Sequence, residues 1–380
     1  MASAGVHDPS VLPTPQNPGK AKTYNRLKLV IGLLSSGLRF VLLLLLLVFG
    51  VSKDLEQLIR SLVANNYAVV VLFAGAVGFL LAMTTLPLQV YSGYVIEHRF
   101  QLSNQTFARW VWEHVKGAFV ALPFMIGVVA VLYYSLETYG SLWWVAVGTA
   151  VTLLSIVLAR LAPIFIMPLF YKFTPLGEGE INERISALCT NAGVRIEGIF
   201  TFNLSKNTRK ANAGFTGIGK AKRIVLGDTL VKDFTTDEIE TVFAHELGHY
   251  KHKHILVGIM SGTVATFAGL FLGAQMFDWS LEVFGFSVRT EIAALPLLAL
   301  WLGLFSMVTG PLSNALSRRH ERQADRYAVR TTGKKQSFIS ALQKLEVTNL
   351  ADPHPHAAVE WLFYSHPSVG RRIALIQSME

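Results

Sequence analysis

Six long apolar runs leave this chain few ways to fold. They lie at about 29–50, 67–90, 117–136, 142–160, 255–277 and 292–313. A helix needs about 20 apolar residues to cross the roughly 30 Å hydrocarbon layer of a bilayer, and most of these runs are near that length. The composition agrees: 52% of the residues are hydrophobic and 16% charged, where soluble domains carry about 25% charged residues. An ordinary soluble enzyme, a disordered chain and a fibrous chain are excluded. The expected fold is mainly α, a polytopic α-helical membrane protein. The first run is the weakest, because Arg39 interrupts it. After the fourth run, prolines 163, 168 and 175 in LAPIFIMPLFYKFTP predict an elbow leading out of the membrane. With Cys189 the only cysteine, no intrachain disulfide and no cysteine-based zinc site can form.

The runs divide the chain into five segments: a polar, proline-rich tail (1–28) read as flexible and not as a signal peptide, a four-span region (29–171), a polar block (172–254), a two-span hairpin (255–313) and a second polar block (314–380). An even number of spans precedes each polar block, which puts both on the side of the N-terminus. The segments on that side hold 29 Lys and Arg against 19 Asp and Glu, while the opposite loops hold 3 against 6. The net charge of +9 therefore reads as a positive-inside signal and implies no nucleic acid. It places the N-terminus, both polar blocks and the C-terminus in the cytoplasm.

The chemistry concentrates in TTDEIETVFAHELGHYKHKH, residues 235–254. Thr235 and Glu238 have the spacing of a capping box, which predicts a helix start. Within that helix, His245 and His249 are four residues apart and share a face, so both imidazoles can reach one zinc ion. Glu246, beside them, is placed to take a proton from a water that zinc has made acidic, and so to assist attack on a peptide carbonyl. The metzincin pattern needs a third histidine six residues past His249, but Ile255 stands there. His252 and His254 read as a solvated or interfacial face.

A third ligand is better sought in SRRHERQADRYAV, where Glu321 is followed four residues later by Asp325 on the same helical face. Glu321 can coordinate the metal, and Asp325 can hold a ligating histidine by its other ring nitrogen. By itself this run, rich in Arg318, Arg319, Arg322 and Arg326, reads as a solvated helix. Beside a histidine pair that lacks a third ligand, the ligand reading prevails. Both ligand-bearing helices are expected to grow straight out of membrane spans, which places the metal near the inner membrane surface, or in a cavity opening to it, and suits a lipid-attached or embedded substrate.

At these residues the chain resembles the type 1 CaaX prenyl proteases, integral-membrane zinc endopeptidases with gluzincin-like metal ligation. The resemblance covers nearly everything from about residue 67 onward. It is carried by FYKFTPLGEGE (170–180), KANAGFTGIGKAKRIVLGDTL (210–230), HELGHYKHKH (245–254), ERQADRYA (321–328) and YSHPSVGRR (364–372). It implies one Zn2+ per chain on His245, His249 and Glu321, with Glu246 as general base and Asp325 behind a zinc histidine. It places His366 near the zinc as a stabiliser of the tetrahedral intermediate, and Arg372 beside the active site. It makes Asn212, Ala213 and Gly214 part of an edge strand above the zinc, to which an extended peptide could add. The same residues also read as a hairpin, with Gly217 and Gly219 in the turn and Arg223–Leu226 returning. The family fold is a zinc metalloprotease domain carrying a small β-sheet, set on helices that enclose a water-filled intramembrane chamber. Eukaryotic members are described with seven spans, whereas this chain shows six.

The leading functional expectation is a membrane-integrated zinc endopeptidase, of a bacterial inner membrane or the endoplasmic reticulum, that hydrolyses peptide bonds near the C-terminus of prenylated CaaX-type substrates. Its partners are the lipid bilayer and a peptide or protein, prenylated or not. A membrane quality-control protease of broad specificity is the first alternative, and a transporter with a structural metal site the second. A structural site is closed by four protein ligands. Three good ligands beside a carboxylate base favour catalysis.

Overall fold

The computed structural model describes residues 18–216 and 223–379. The membrane region opens with α1 (Pro18–Val48), then α2 (Val51–Leu62), α3 (Asn66–Val90) and α4 (Ile96–Arg99), the last continuing α3 through a π-helical turn at Tyr91–Val95. Next come α5 (Phe107–Thr138), α6 (Trp143–Leu161) and α7 (Met167–Phe170), the last again continuing its predecessor through a π-helical turn, at Ala162–Ile166. Beyond the small sheet and α8 (Glu180–Asn191) follow α9 (Asp228–Asp233), α10 (Thr236–Lys251) and α11 (His254–Ser280). The chain closes with α12 (Leu295–Thr332), α13 (Lys335–Asn349), α14 (Ala357–Phe363) and α15 (Val369–Gln377). Among the described residues, six helices are long and apolar enough to cross a membrane: Gly19–Val48, Asn66–Arg99, Phe107–Thr138, Gly140–Phe170, His254–Ser280 and Ile292–Thr332.

Four expectations need correction. Residues 18–28, expected in a flexible tail, are the first turns of α1; residues 1–17 lie outside the described residues. Tertiary contacts hold those turns. Tyr24 is buried, packs edge-on against Phe100 and donates to Glu97 at 2.7 Å, while Asn25 donates to the Leu350 carbonyl at 2.7 Å. The helix after span four does not break at Pro163. The wider π-helical turn absorbs the missing N–H, and the chain leaves the helix only at Tyr171. The boundary set at 314 falls inside α12, which runs unbroken from the span to Thr332. By contrast, α10 does not grow straight into span five, because Lys253 adopts a left-handed φ of 57° between α10 and α11.

Packing is concentrated at the two ends of the bundle. One end is closed by Leu47, Leu136, Trp143, Ala274, Phe277 and Ala294, the other by Tyr24, Ile31, Ile96, Phe100 and Leu350. Between Ile31 and Leu46, Trp110 and Tyr133, His254 and Gly269, and Leu300 and Arg318, no residue is buried.

Among the described residues the sheet has the order β1-β2-β4-β3, from β1 (Phe173–Pro175), β2 (Gly198–Phe202), β3 (Ala213–Thr216) and β4 (Arg223–Gly227). β2 and β4 run parallel, and β3 joins β4 antiparallel at the edge, pairing Ala213 with Leu226 and Gly214 with Val225. The hairpin turn itself lies outside the described residues. Under the sheet, Ile224, Leu226, Leu230, Ile239, Phe243 and Leu247 join Phe338 and Leu342 in one core. Full burial of side chains like these contributes about 1.5–3 kcal/mol each.

Helix α10 crosses α12 at very close range. A Cβ added to Gly248 would stand 3.0 Å from Ala324 Cα and 3.2 Å from the Ala324 carbonyl oxygen, and Ala324 is fully buried. Backbone atoms cannot swing aside as a flexible side chain can. Gly248→Ala is therefore expected to cost about 1–3 kcal/mol through overpacking, read as a lower Tm in detergent. An unchanged Tm would show that the crossing has slack.

Candidate metal centre

Helix α10 is fixed at its start. Thr235 Oγ1 accepts from the Glu238 N–H at 3.3 Å, and Glu238 Oε2 accepts from the Thr235 N–H at 2.8 Å. The buried Glu238 carboxylate is also held from α13, by Lys344 at 2.7 Å and Ser340 at 2.6 Å. The capping pair thus ties the helix to the core as well as satisfying its first N–H groups. One face of α10 packs Ile239, Val242, Phe243 and Leu247 inward, and the crossing at Gly248 sets the opposing side against α12.

That crossing brings His245, His249 and Glu321 together, with ligand atoms all within 4.8 Å of one another. His245 Nε2 and His249 Nε2 lie 3.1 Å apart. Glu321 Oε2 is 3.4 Å from His245 Nε2, and Glu321 Oε1 is 3.2 Å from His249 Nε2. These spacings fit a small tetrahedral cation: zinc–nitrogen bonds of about 2.0–2.1 Å imply nitrogens about 3.3 Å apart. Glu321 Oε2 is buried without a partner of hydrogen-bond geometry among the described residues, although His366 Nδ1 lies 2.9 Å away. Two imidazole nitrogens facing each other beside a buried carboxylate oxygen are a donor set that a cation would satisfy. Burial pulls the His245 imidazole down, but hydrogen bonds with Asp325 and Glu321 outweigh it and hold the group up at about 9.

Around these groups stand the remaining expected residues. Asp325, fully buried, lies 2.8 Å from His245 Nδ1. Arg372 clamps Asp325 with two hydrogen bonds, from Nε at 3.0 Å and Nη2 at 2.6 Å, and its Nη2 is 3.3 Å from His245 Nδ1. Arg372 thus sits behind His245. His366 is 63% exposed and borders the cavity. Its loop is seated on α12, where Arg318 Nη1 donates to the Glu360 and Tyr364 carbonyls at 3.0 and 2.5 Å and Asn314 donates to the Leu362 carbonyl at 2.8 Å. Glu246, Asn212 and Ala213 line the same cavity of about 610 Å³. Gly214 follows along β3 but is not among the lining residues. The Asn212 carbonyl accepts from the Gly227 N–H at 2.8 Å, an approach so close that a Cβ on Gly227 would meet it at 2.9 Å.

Sequence reasoning missed the parts played here by His254 and Gln323. His254, expected on a solvated face, is buried; His252 is exposed. His254 Nδ1 lies 3.0 Å from His249 Nδ1, and its Nε2 is 2.9 Å from Gln323 Oε1. On one continuous helix, residues five apart point roughly 140° apart, so spacing argued against the contact. The left-handed Lys253 turns His254 back toward His249. A lysine gives no notice of that conformation, which glycine or asparagine would have signalled.

Residues 175–380 match peptidase family M48, and residues 14–172 match the domain described as CAAX prenyl protease N-terminal, five membrane helices. In this chain that second stretch holds four of the apolar spanning helices and the shorter α2. The uncharacterized metalloprotease YhfN of Bacillus subtilis is 30% identical over 370 residues, covering 96% of this chain and 87% of that protein. CAAX prenyl protease 1 of Saccharomyces cerevisiae is 32% identical over 342 residues, covering 84% of this chain and 74% of that protein. The crystal structure of S. mikatae Ste24p superposes with a TM-score of 0.85 at 25% identity, covering 98% of this chain and 92% of that one. The chain belongs to peptidase family M48 and is a multi-pass membrane metallopeptidase.

Proposed function

We propose that this chain is a zinc endopeptidase that cleaves peptide bonds near the C-terminus of prenylated CaaX-type substrates at the cytoplasmic face of its membrane. One observation carries the reading. A donor set fit for zinc, with Glu246 beside it, opens into a cavity bordered by the free edge of the sheet, where span-derived helices meet the polar domain. Relatives named CAAX prenyl protease 1 supply the substrate class. The side of the membrane rests on the excess of Lys and Arg around both polar blocks.

His245, His249 and Glu321 would hold the metal, one ion per chain. Bound there, zinc would supply Lewis acidity to a water and to the scissile carbonyl. The residues of the chain do the rest. The outer edge of β3 would pair with the extended substrate by main-chain hydrogen bonds, and the Asn212 side chain would hold substrate backbone. Glu246 would take the proton released as the water oxygen bonds to the carbonyl carbon, then deliver it to the departing amine as the C–N bond breaks. His366 would meet the negative charge developing on the carbonyl oxygen. Asp325, held by Arg372, would keep His245 Nδ1 protonated and Nε2 free. Stretches of the first, third, fifth and sixth spans that carry no buried residue would offer a prenyl chain apolar surface near the scissile bond.

The purified protein in detergent, loaded with zinc, is expected to cleave a farnesylated CaaX peptide faster than the same peptide without the farnesyl group. Glu246→Gln should lower that rate by about 10²–10⁴-fold, the range for losing a general base, while retaining its zinc. Equal cleavage of both peptides and of unfolded membrane protein would point to broad-specificity proteolysis. Full activity in Glu246→Gln would remove that residue from the mechanism.

Glu321→Ala is expected to empty the site under chelator challenge. Asp325→Ala should weaken retention by about 10–100-fold, as for loss of a residue that orients a ligand. Metal analysis showing full occupancy in both variants would require a different ligand set.

Orientation is open to thiol labelling. In a Cys189→Ser background, cysteines at the exposed positions Val283, Glu178 and Ser378 should respond differently to an impermeant reagent on sealed, oriented vesicles. Position 283 should label from outside, and 178 and 378 only after permeabilisation. Labelling of 178 or 378 from outside would reverse the assignment.

A further inference from the structure

Behind His249, away from the proposed metal position, polar contacts run to α12. His249 Nδ1 lies 3.0 Å from His254 Nδ1, and His254 Nε2 lies 2.9 Å from Gln323 Oε1. The His254 ring is buried and stacks on His320, with centroids 4.0 Å apart and planes 11° from parallel. We propose that Gln323 and His254 form a one-way hydrogen-bond relay that fixes the tautomer of His249 and leaves its Nε2 lone pair available to the metal. Both are positioning residues, and the proposal rests on His249 ligating zinc.

The argument is one of proton counting. A neutral imidazole carries one N–H and one lone pair. If Gln323 accepts through Oε1, His254 carries its proton on Nε2 and offers a lone pair at Nδ1. His249 must then donate from Nδ1, and its Nε2 is left unprotonated, facing His245 and Glu321. If the amide is reversed, Gln323 donates to His254 Nε2 and His254 donates from Nδ1. His249 then accepts at Nδ1 and carries its proton on Nε2, which blocks a metal. Only the first sense is compatible with ligation, and it uses Gln323 purely as an acceptor. His245 is served differently, by direct contact with the Asp325 carboxylate. Both ligating histidines would thus be oriented from α12, one by an anion and the other through a neutral relay. The left-handed Lys253 is what brings His254 into line. Such strained backbone at a non-glycine residue persists where the surroundings over-determine it.

The test separates acceptor chemistry from packing. Gln323→Met keeps length and bulk but removes the strong acceptor, Gln323→Glu provides acceptors only, and His254→Phe keeps the stacked ring without its nitrogens. Zinc affinity of the purified full chain is measured by chelator competition, and the absorption spectrum of the cobalt-loaded protein reports ligand geometry. Gln323→Met and His254→Phe should bind zinc about 10–100-fold more weakly with an altered cobalt spectrum. Gln323→Glu should stay within about threefold of the parent, since the relay needs only an acceptor at that position. A merely structural role predicts the reverse order for Met and Glu. Parent-like affinity in Gln323→Met, or Gln323→Glu no better than Gln323→Met, would overturn the relay while leaving the proposed function standing. If His254→Phe fails to fold, the two Gln323 variants decide alone. A parent protein that binds no zinc would overturn the metal reading and the relay together.

Discussion

Everything chemical in this protein hangs on two helices touching backbone to backbone. Where α10 meets α12, Gly248 faces Ala324 with no room for a further carbon. One turn of α10 on either side of that contact carries His245 and His249, and the neighbouring turn of α12 carries Glu321 and Asp325. A larger separation would take Glu321 out of reach of both imidazoles. Close-packed interiors transmit small displacements instead of absorbing them, so the capping pair at Thr235 and Glu238, the Lys344 anchor and the Arg372 clamp all bear on one short distance.

The sheet contributes in a different way. Its inner strands β2 and β4 are built from residues that bury well, while β3 is left at the rim. An unpaired strand edge is a hazard in most proteins, because it invites another strand. Here that edge borders the cavity at Asn212 and Ala213, so the liability and the proposed substrate contact are the same row of backbone groups.

Much of this was legible in the residues. The apolar runs announced the six spanning helices, and the paired histidines with Glu321 announced which groups would meet. What escaped detection involved contacts between segments far apart in the chain, or a local backbone reversal that side-chain type does not announce. Residues 18–28 look like a polar tail until Phe100, Glu97 and Leu350 are brought against them. His254 looks solvated until an unannounced left-handed lysine reverses its direction. Arg318 reads as one more arginine in a basic run, yet it is buried and holds the His366 loop by two carbonyls. Periodicity reports one helix at a time, so it does not register a partner supplied by another.

The hairpin made by α11 and α12 also bears on when the enzyme is assembled. His249 precedes it and Glu321 follows it, so the three candidate ligands meet only once both long helices have formed and packed. A newly made chain still outside the membrane would hold two histidines without their carboxylate, and so could not hydrolyse the proteins around it during synthesis.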